Sequence, residues 1–110
     1  MAAKIHGRLG AVSLAATTNT GVYTVPSGRK ATSTVSLCNR SASAITVRLA
    51  LIDGAIGAVA DEDYLEYGAV IPAGGVLERS GITLTATHTL GVYASATGIS
   101  AVAYGVEEDV

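Results

Sequence analysis

The feature that most constrains this chain is a two-residue alternation of apolar and polar side chains between turn-forming residues. In residues 44–53 one set of alternate positions holds Ile45, Val47, Leu49 and Leu51, and the other holds Thr46, Arg48, Ala50 and Ile52. Successive side chains of a β-strand point to opposite faces of its sheet. The alternation therefore predicts a strand with one buried face.

The same alternation recurs along most of the chain. It predicts strands at residues 21–25, 31–39, 44–53, 64–71, 76–79 with a short piece at 82–84, 90–95 and 99–107, after a weaker segment at 4–14. Within 31–39, Val35 and Leu37 are predicted on one face and Thr32, Thr34, Ser36 and Cys38 on the other. No segment shows the 3.6-residue periodicity of a helix. Short connections at 40–43 and 96–98 predict two β-hairpins, 31–53 and 90–107.

These elements predict one all-β domain, a β-sandwich or jelly-roll-like fold of seven to eight antiparallel strands, over residues 21–110. Residues 1–20 are predicted to be an N-terminal arm or a weak first strand. Lys4, Arg8 and the apolar run 9–16 imitate a secretory signal, but the run is short and contains Ser13, which favours a strand. Residues 54–63 are rich in Gly and Ala and predict a loop.

The apolar residues of this chain are mostly small, so its core is expected to be thin. The chain has 110 residues, no Phe and no Trp, and five tyrosines are its only aromatic residues. Because burial of an Ala stabilises much less than burial of a Leu, a domain of this size gains from contact with neighbours. The composition therefore favours a subunit of an assembly.

The distribution of charge and the length of the apolar runs argue against two classes of partner. Only 15% of the residues are charged, the net charge is −2, and the seven Lys and Arg residues are scattered. Nucleic-acid-binding proteins concentrate positive charge on one surface, so no nucleic-acid partner is expected here. No apolar run approaches the ~20 residues of a membrane-spanning helix, so no membrane partner is expected.

The residues needed for catalysis are scarce. His6 and His88 are the only histidines, and Cys38 is the only cysteine. The place of Cys38 in an alternating strand predicts a buried, structural side chain, and no disulfide can form within the chain. A non-enzymatic protein without a cofactor is predicted.

Two short segments remain as candidate sites. Asp61, Glu62 and Asp63 form an acidic cluster that is a weak candidate for cation binding, because it lacks the spacing of an EF-hand loop. The neighbouring Tyr64 and Tyr67 are candidate interaction residues, since an amphipathic ring suits contact with a sugar or a protein.

Several turn motifs carry a resemblance to a known group of proteins. Residues 21–32 contain a Tyr-Thr-Val-Pro-x-Gly strand and turn, and residues 36–41 contain a Cys-Asn-Arg-Ser turn. Together with Ile-Pro-Ala-Gly-Gly at 71–75 and the ending at 103–108, these motifs resemble small virion proteins of tailed bacteriophages. The resemblance covers residues 21–108 and consists of turn chemistry, so it specifies a fold better than a role.

The resemblance implies a structural protein of the phage particle that is made in the cytoplasm of the bacterial host. Its expected partners are other virion proteins and copies of itself in a symmetric homo-oligomer. The expected role is a repeated subunit of the tail apparatus, in the baseplate, in the collar or beside a fibre. The alternatives are a capsid decoration or cement protein and, from another class, a receptor- or carbohydrate-binding module.

Overall fold

The computed structural model describes residues 4–110, which form eight β-strands and two short 3₁₀ turns. The strands are β1 (Lys4–Ser13), β2 (Thr20–Thr24), β3 (Arg29–Asn39), β4 (Ile45–Asp53), β5 (Tyr64–Ile71), β6 (Val76–Thr85), β7 (His88–Ala94) and β8 (Ile99–Asp109). The 3₁₀ turns, Ile56–Ala58 and Asp61–Asp63, lie in the loop between β4 and β5. The all-β prediction is confirmed.

The strands form two four-stranded antiparallel sheets. Sheet A has the order β1-β8-β3-β6, and sheet B has the order β2-β7-β4-β5. The pairs are nested: β1 with β8, β2 with β7, β3 with β6 and β4 with β5. A long hairpin rolled across two sheets has this pairing, which is the topology of a jelly roll. The predicted β-sandwich of seven to eight antiparallel strands is confirmed.

Both predicted hairpins are wrong. β3 lies in sheet A and β4 in sheet B, and likewise β7 lies in sheet B and β8 in sheet A. Among consecutive strands only β4 and β5 are neighbours in one sheet. The short connections 40–44 and 95–98 are arches that carry the chain from one sheet to the other. Alternation identifies the buried face of a strand but not the strand that pairs with it, and here the two buried faces meet across the core.

Asn39 holds the first of these arches in place. Its side-chain amide donates hydrogen bonds to the carbonyl oxygens of Ser43 and Ile71, at 2.8 and 2.9 Å. Its Oδ1 accepts hydrogen bonds from the backbone N–H and the hydroxyl of Ser41, at 2.9 and 2.7 Å. Asn39 is fully buried, so these bonds satisfy a polar group that water cannot reach.

The core lies between the two sheets and follows the predicted alternation in most places. Val35 and Leu37 face inward from β3, as predicted, while the alternate positions 32, 34, 36 and 38 face outward. Ile45, Val47 and Leu49 are buried from β4. At the end of β4 the prediction is wrong, because Ile52 is fully buried and Leu51 only half-buried.

The loop between β4 and β5 explains the burial of Ile52. Ile52 lies on the outer face of sheet B, and the loop folds back over this face. A β-carbon built on Gly91 would lie 2.7 Å from Ile56 Cδ1 and 2.9 Å from Ile52 Cδ1, so both isoleucines pack on this glycine. They form a small apolar cluster outside the sandwich core.

Two further elements differ in detail from the alternation pattern. β6 is one strand, whereas the sequence predicts two pieces divided at Gly81. The pairing of β6 with β3 shifts register between Ser33 and Val35. Gly81 has a φ of 72°. β1 forms the edge of sheet A beside β8. For this segment the sequence predicts either an N-terminal arm or a weak first strand. Within residues 4–110, no helix has both the length and the apolar character needed to cross a membrane.

Candidate functional site

A row of three side chains crosses the outer face of sheet B. The register places Arg48 of β4 directly opposite Tyr67 of β5 and Tyr93 of β7. The Arg48 Cζ atom lies 4.4 Å from the centre of the Tyr67 ring and 4.3 Å from the centre of the Tyr93 ring. Because β5 and β7 flank β4, the two rings hold the guanidinium from opposite sides. We call Tyr67, Arg48 and Tyr93 the Arg48 row.

The candidate residue Tyr64 extends this row. Its ring meets the Tyr67 ring edge to face, with centroids 4.9 Å apart and an interplanar angle of 81°. Such aromatic pairs and stacked guanidinium groups each contribute about 0.5–1.5 kcal/mol. The structure thus brings together the two tyrosines singled out from the sequence and adds Arg48 and Tyr93 to them.

An open cavity of about 370 Å³ lies at one end of the row, lined by Asp61, Tyr64 and Tyr67. Tyr67 is 65% exposed, the largest exposed fraction among the described aromatic residues. The cavity therefore combines an accessible ring with a carboxylate.

The acidic cluster Asp61, Glu62 and Asp63 forms the second 3₁₀ turn. The Asp63 carboxylate accepts a hydrogen bond from the backbone N–H of Ala60 at 2.8 Å, which stabilises the start of this turn. In the described part of the chain, no three side chains of His, Cys, Asp or Glu are grouped in a way that would hold a metal ion.

The outer face of sheet A has a different character. Its centre consists of outward-pointing residues of two paired strands, β3 and β8, and we call these eight the sheet A face: Thr32, Thr34, Ser36, Cys38, Ser100, Val102, Tyr104 and Val106. None carries a charge at neutral pH, and seven of them have small or medium-sized side chains. The result is a weakly polar surface, bordered by Arg8 on β1 and by Glu78 on β6.

Tyr104 is the one large residue on the sheet A face. Its hydroxyl donates a hydrogen bond to the Glu78 carboxylate at 2.8 Å, and this bond raises the pKa of Tyr104 above its ordinary value. The ring is 37% exposed. Because β3 lies between β8 and β6, the ring reaches across β3 to Glu78 and leaves part of its surface open to solvent.

Cys38 lies on the sheet A face and is only partly buried, so the prediction of a buried side chain is wrong. β3 turns its other face to the core, and Cys38 has Ser100 and Val76 as its strand partners. His88 begins β7 in sheet B, where its ring lies 3.6 Å from the Asp53 carboxylate. No hydrogen bond between residues 4–110 joins Cys38 to either histidine.

A cavity of about 550 Å³ lies beside β2. Its lining includes Val25, Pro26, Ile56 and Thr89 and contains no titratable side chain. A general acid or base would have to stand within hydrogen-bond reach of a bound substrate. The lining of this cavity offers none.

Sequence reasoning missed Arg48 and Tyr93 as functional candidates. Both were assigned to strands correctly, yet nothing in the linear order places a residue of β7 beside residues of β4 and β5. The only signal was an arginine in the middle of a strand whose other interior residues are uncharged. Comparison of the chain with models of known protein families and with curated protein sequences gives no match.

Proposed function

We propose that this chain is a non-enzymatic structural subunit of a bacteriophage particle, repeated by symmetry in the tail apparatus, and that it binds its neighbours through the sheet A face. The observation that carries the proposal is the absence of charge across the eight residues of that face. Surfaces exposed to water normally mix charges of both signs, which keeps proteins apart. A surface of this kind suits permanent contact with another protein.

The shape of the sheet A face supports the same proposal. Packed sheets lie about 10 Å apart, and small side chains allow this close approach. Val102 and Ser36 are cross-strand partners near the middle of the face. A second β-sheet surface, from a copy of this chain or from another virion protein, is the partner that fits.

The fold and the turn motifs give further support. Jelly rolls are common in viral structural proteins, although they also occur in lectins and enzymes, so the fold alone leaves the role open. Asn39 of the Cys-Asn-Arg-Ser motif holds an arch between the sheets. The motif that carries the resemblance to tailed-phage virion proteins therefore has a structural use here.

A charge placed in the sheet A face tests the proposal. We expect Val102→Lys to fold but to be lost from purified phage particles, because an interface would have to bury the added ammonium group without a partner. Thr97→Lys is the matched control, since Thr97 is exposed in the bend between β7 and β8. Incorporation of Val102→Lys at the wild-type level would contradict the proposal.

The alternative roles make different predictions. A capsid decoration protein would be present in many more copies per particle than a tail ring, so quantitative mass spectrometry of particles separates the two. A receptor- or carbohydrate-binding module is favoured by one observation, the exposed Tyr67 ring beside Asp61. Glycan binding that Tyr67→Ala abolishes, with no effect of Val102→Lys on particles, would establish that alternative.

A further inference from the structure

The arginines of this protein differ in how they are held. Arg29 pairs with Glu107, Arg79 pairs with Glu66, and Arg40 donates a hydrogen bond to Ser13. Arg48 forms no ion pair and no side-chain hydrogen bond with any residue from 4 to 110, and its guanidinium lies over the rings of Tyr67 and Tyr93.

The N–H groups of Arg48 are open to solvent. No side-chain nitrogen or oxygen of the described residues is buried without a hydrogen-bond partner, so the unpaired Arg48 donors must be accessible. A guanidinium carries its donors in its plane, and the centres of the two rings lie 4.4 and 4.3 Å from its central carbon. The donors that remain form a planar fork that matches the two oxygens of a carboxylate.

The same row contributes to the cavity lined by Asp61, Tyr64 and Tyr67. An exposed tyrosine ring stacks on the apolar face of a sugar ring, while a carboxylate such as Asp61 accepts hydrogen bonds from sugar hydroxyls. The volume of about 370 Å³ is within the range of small-molecule sites and suits a short saccharide. Tyr67 belongs to both the cavity and the Arg48 row, whereas Arg48 itself does not line the cavity. A ligand that contacts Arg48 would therefore have to extend beyond the cavity along the row.

We propose that the outer face of sheet B is a binding site for a saccharide that bears a carboxylate. The carboxylate pairs with the guanidinium of Arg48, the sugar ring packs against the part of the Tyr67 ring that Arg48 and Tyr64 leave exposed, and hydroxyl groups donate to Asp61. A saccharide fits better than a protein partner, because Tyr67 and Val70 are the only large apolar residues exposed on this face among those described. The site does not depend on the proposed virion role, since it uses the opposite sheet.

Titration of the purified protein with trigalacturonate and with sialyllactose, each beside its methyl ester, tests the site. The ester keeps the shape of the ligand and removes its charge, and we expect it to bind at least about tenfold more weakly. A glutamate-rich peptide is included as a carboxylate of protein origin. Calorimetry or the amide chemical shifts of β4, β5 and β7 report binding.

Variants locate the contact. Arg48→Gln should remove the preference for the acid over the ester, and Arg48→Lys should reduce it, because lysine keeps the charge but not the planar fork. Arg8→Gln, which removes an exposed arginine of β1, should leave the preference unchanged. Circular dichroism checks that each variant is folded.

Three results would overturn the proposal. They are equal binding of acid and ester, no binding of either acidic saccharide at millimolar concentration, and binding of the glutamate-rich peptide as tight as that of the saccharides. All three use the unchanged protein, so they decide the matter even if Arg48→Gln fails to fold.

Discussion

The hydroxyl of Tyr23 donates a hydrogen bond to Glu107 Oε1 at 2.6 Å and so joins the two sheets of the sandwich. Tyr23 belongs to β2 in sheet B, and Glu107 belongs to β8 in sheet A. Arg29 completes the arrangement, with its Nη1 atom 2.9 Å from the other oxygen of the same carboxylate. Glu107 is only 4% exposed, so these two donors take the place of water around its carboxyl group.

Removal of the Tyr23 hydroxyl should destabilise the protein. We expect Tyr23→Phe to lower the free energy of unfolding by about 1–3 kcal/mol, because it leaves a buried carboxylate oxygen without its donor. Tyr104→Phe is the matched control: it removes the bond to Glu78 on an exposed face and should leave the urea midpoint unchanged. Equal midpoints for wild type and Tyr23→Phe would show that the bond does not hold the sheets together.

The same bond predicts a loss of stability in alkali. Burial, followed by the hydrogen bond to Glu107, raises the pKa of Tyr23 above its ordinary value. Above about pH 10 the unfolded chain loses this proton while the folded protein keeps it, so the stability falls with rising pH. The slope of unfolding free energy against pH should be less steep in Tyr23→Phe, by at most about 1.4 kcal/mol per pH unit. Parallel curves for the two proteins between pH 9 and 11 would contradict this assignment.

The loop that covers the outer face of sheet B depends on the absence of a side chain at Gly91. We expect Gly91→Ala to cost about 1–3 kcal/mol, because the new methyl group would displace Ile56 and Ile52. Hydrogen exchange in residues 54–60 should increase at the same time. Gly57→Ala, where a β-carbon meets nothing within 4 Å, should change the stability by less than about 0.5 kcal/mol. If the two variants behaved alike, the loop would not be packed as described.

Asn39 is expected to be essential for the arch between β3 and β4. Asn39→Ala removes donors to two carbonyl oxygens, one of them the buried group of Ile71, and should cost at least about 2 kcal/mol. Asn19→Ala, at an exposed position, serves as the control in the same thermal unfolding experiment. A Tm for Asn39→Ala that matched the control would mean that the arch forms without this side chain.

The sequence predicts the strands well and their partners poorly. Alternation in β3 correctly separates Val35 and Leu37 from Ser36 and Cys38, because it reports which side of a strand is buried. It contains no information on which strand lies beside it, so the sequence predicts hairpins where the chain forms arches between the sheets. The burial of Ile52 also escaped prediction, since it depends on a loop returning to the outer face of a sheet.

The candidate sites also divide into residues that the sequence identifies and residues that only the pairing of strands brings together. Tyr64 and Tyr67 stand out in the sequence because they are aromatic residues next to acidic ones. Arg48 and Tyr93 join them only through the register of β4 with β5 and β7. A row across three strands depends on how the strands pair in the sheet, so the spacing of residues along the chain does not predict it.

The most direct test of the proposed function is a cryo-EM reconstruction of the phage particle in which this chain is expected. We expect symmetric copies of this jelly roll in the tail apparatus, with the sheet A face of each copy covered by a neighbouring protein. A particle without this chain, or copies whose sheet A face is open to solvent, would contradict it.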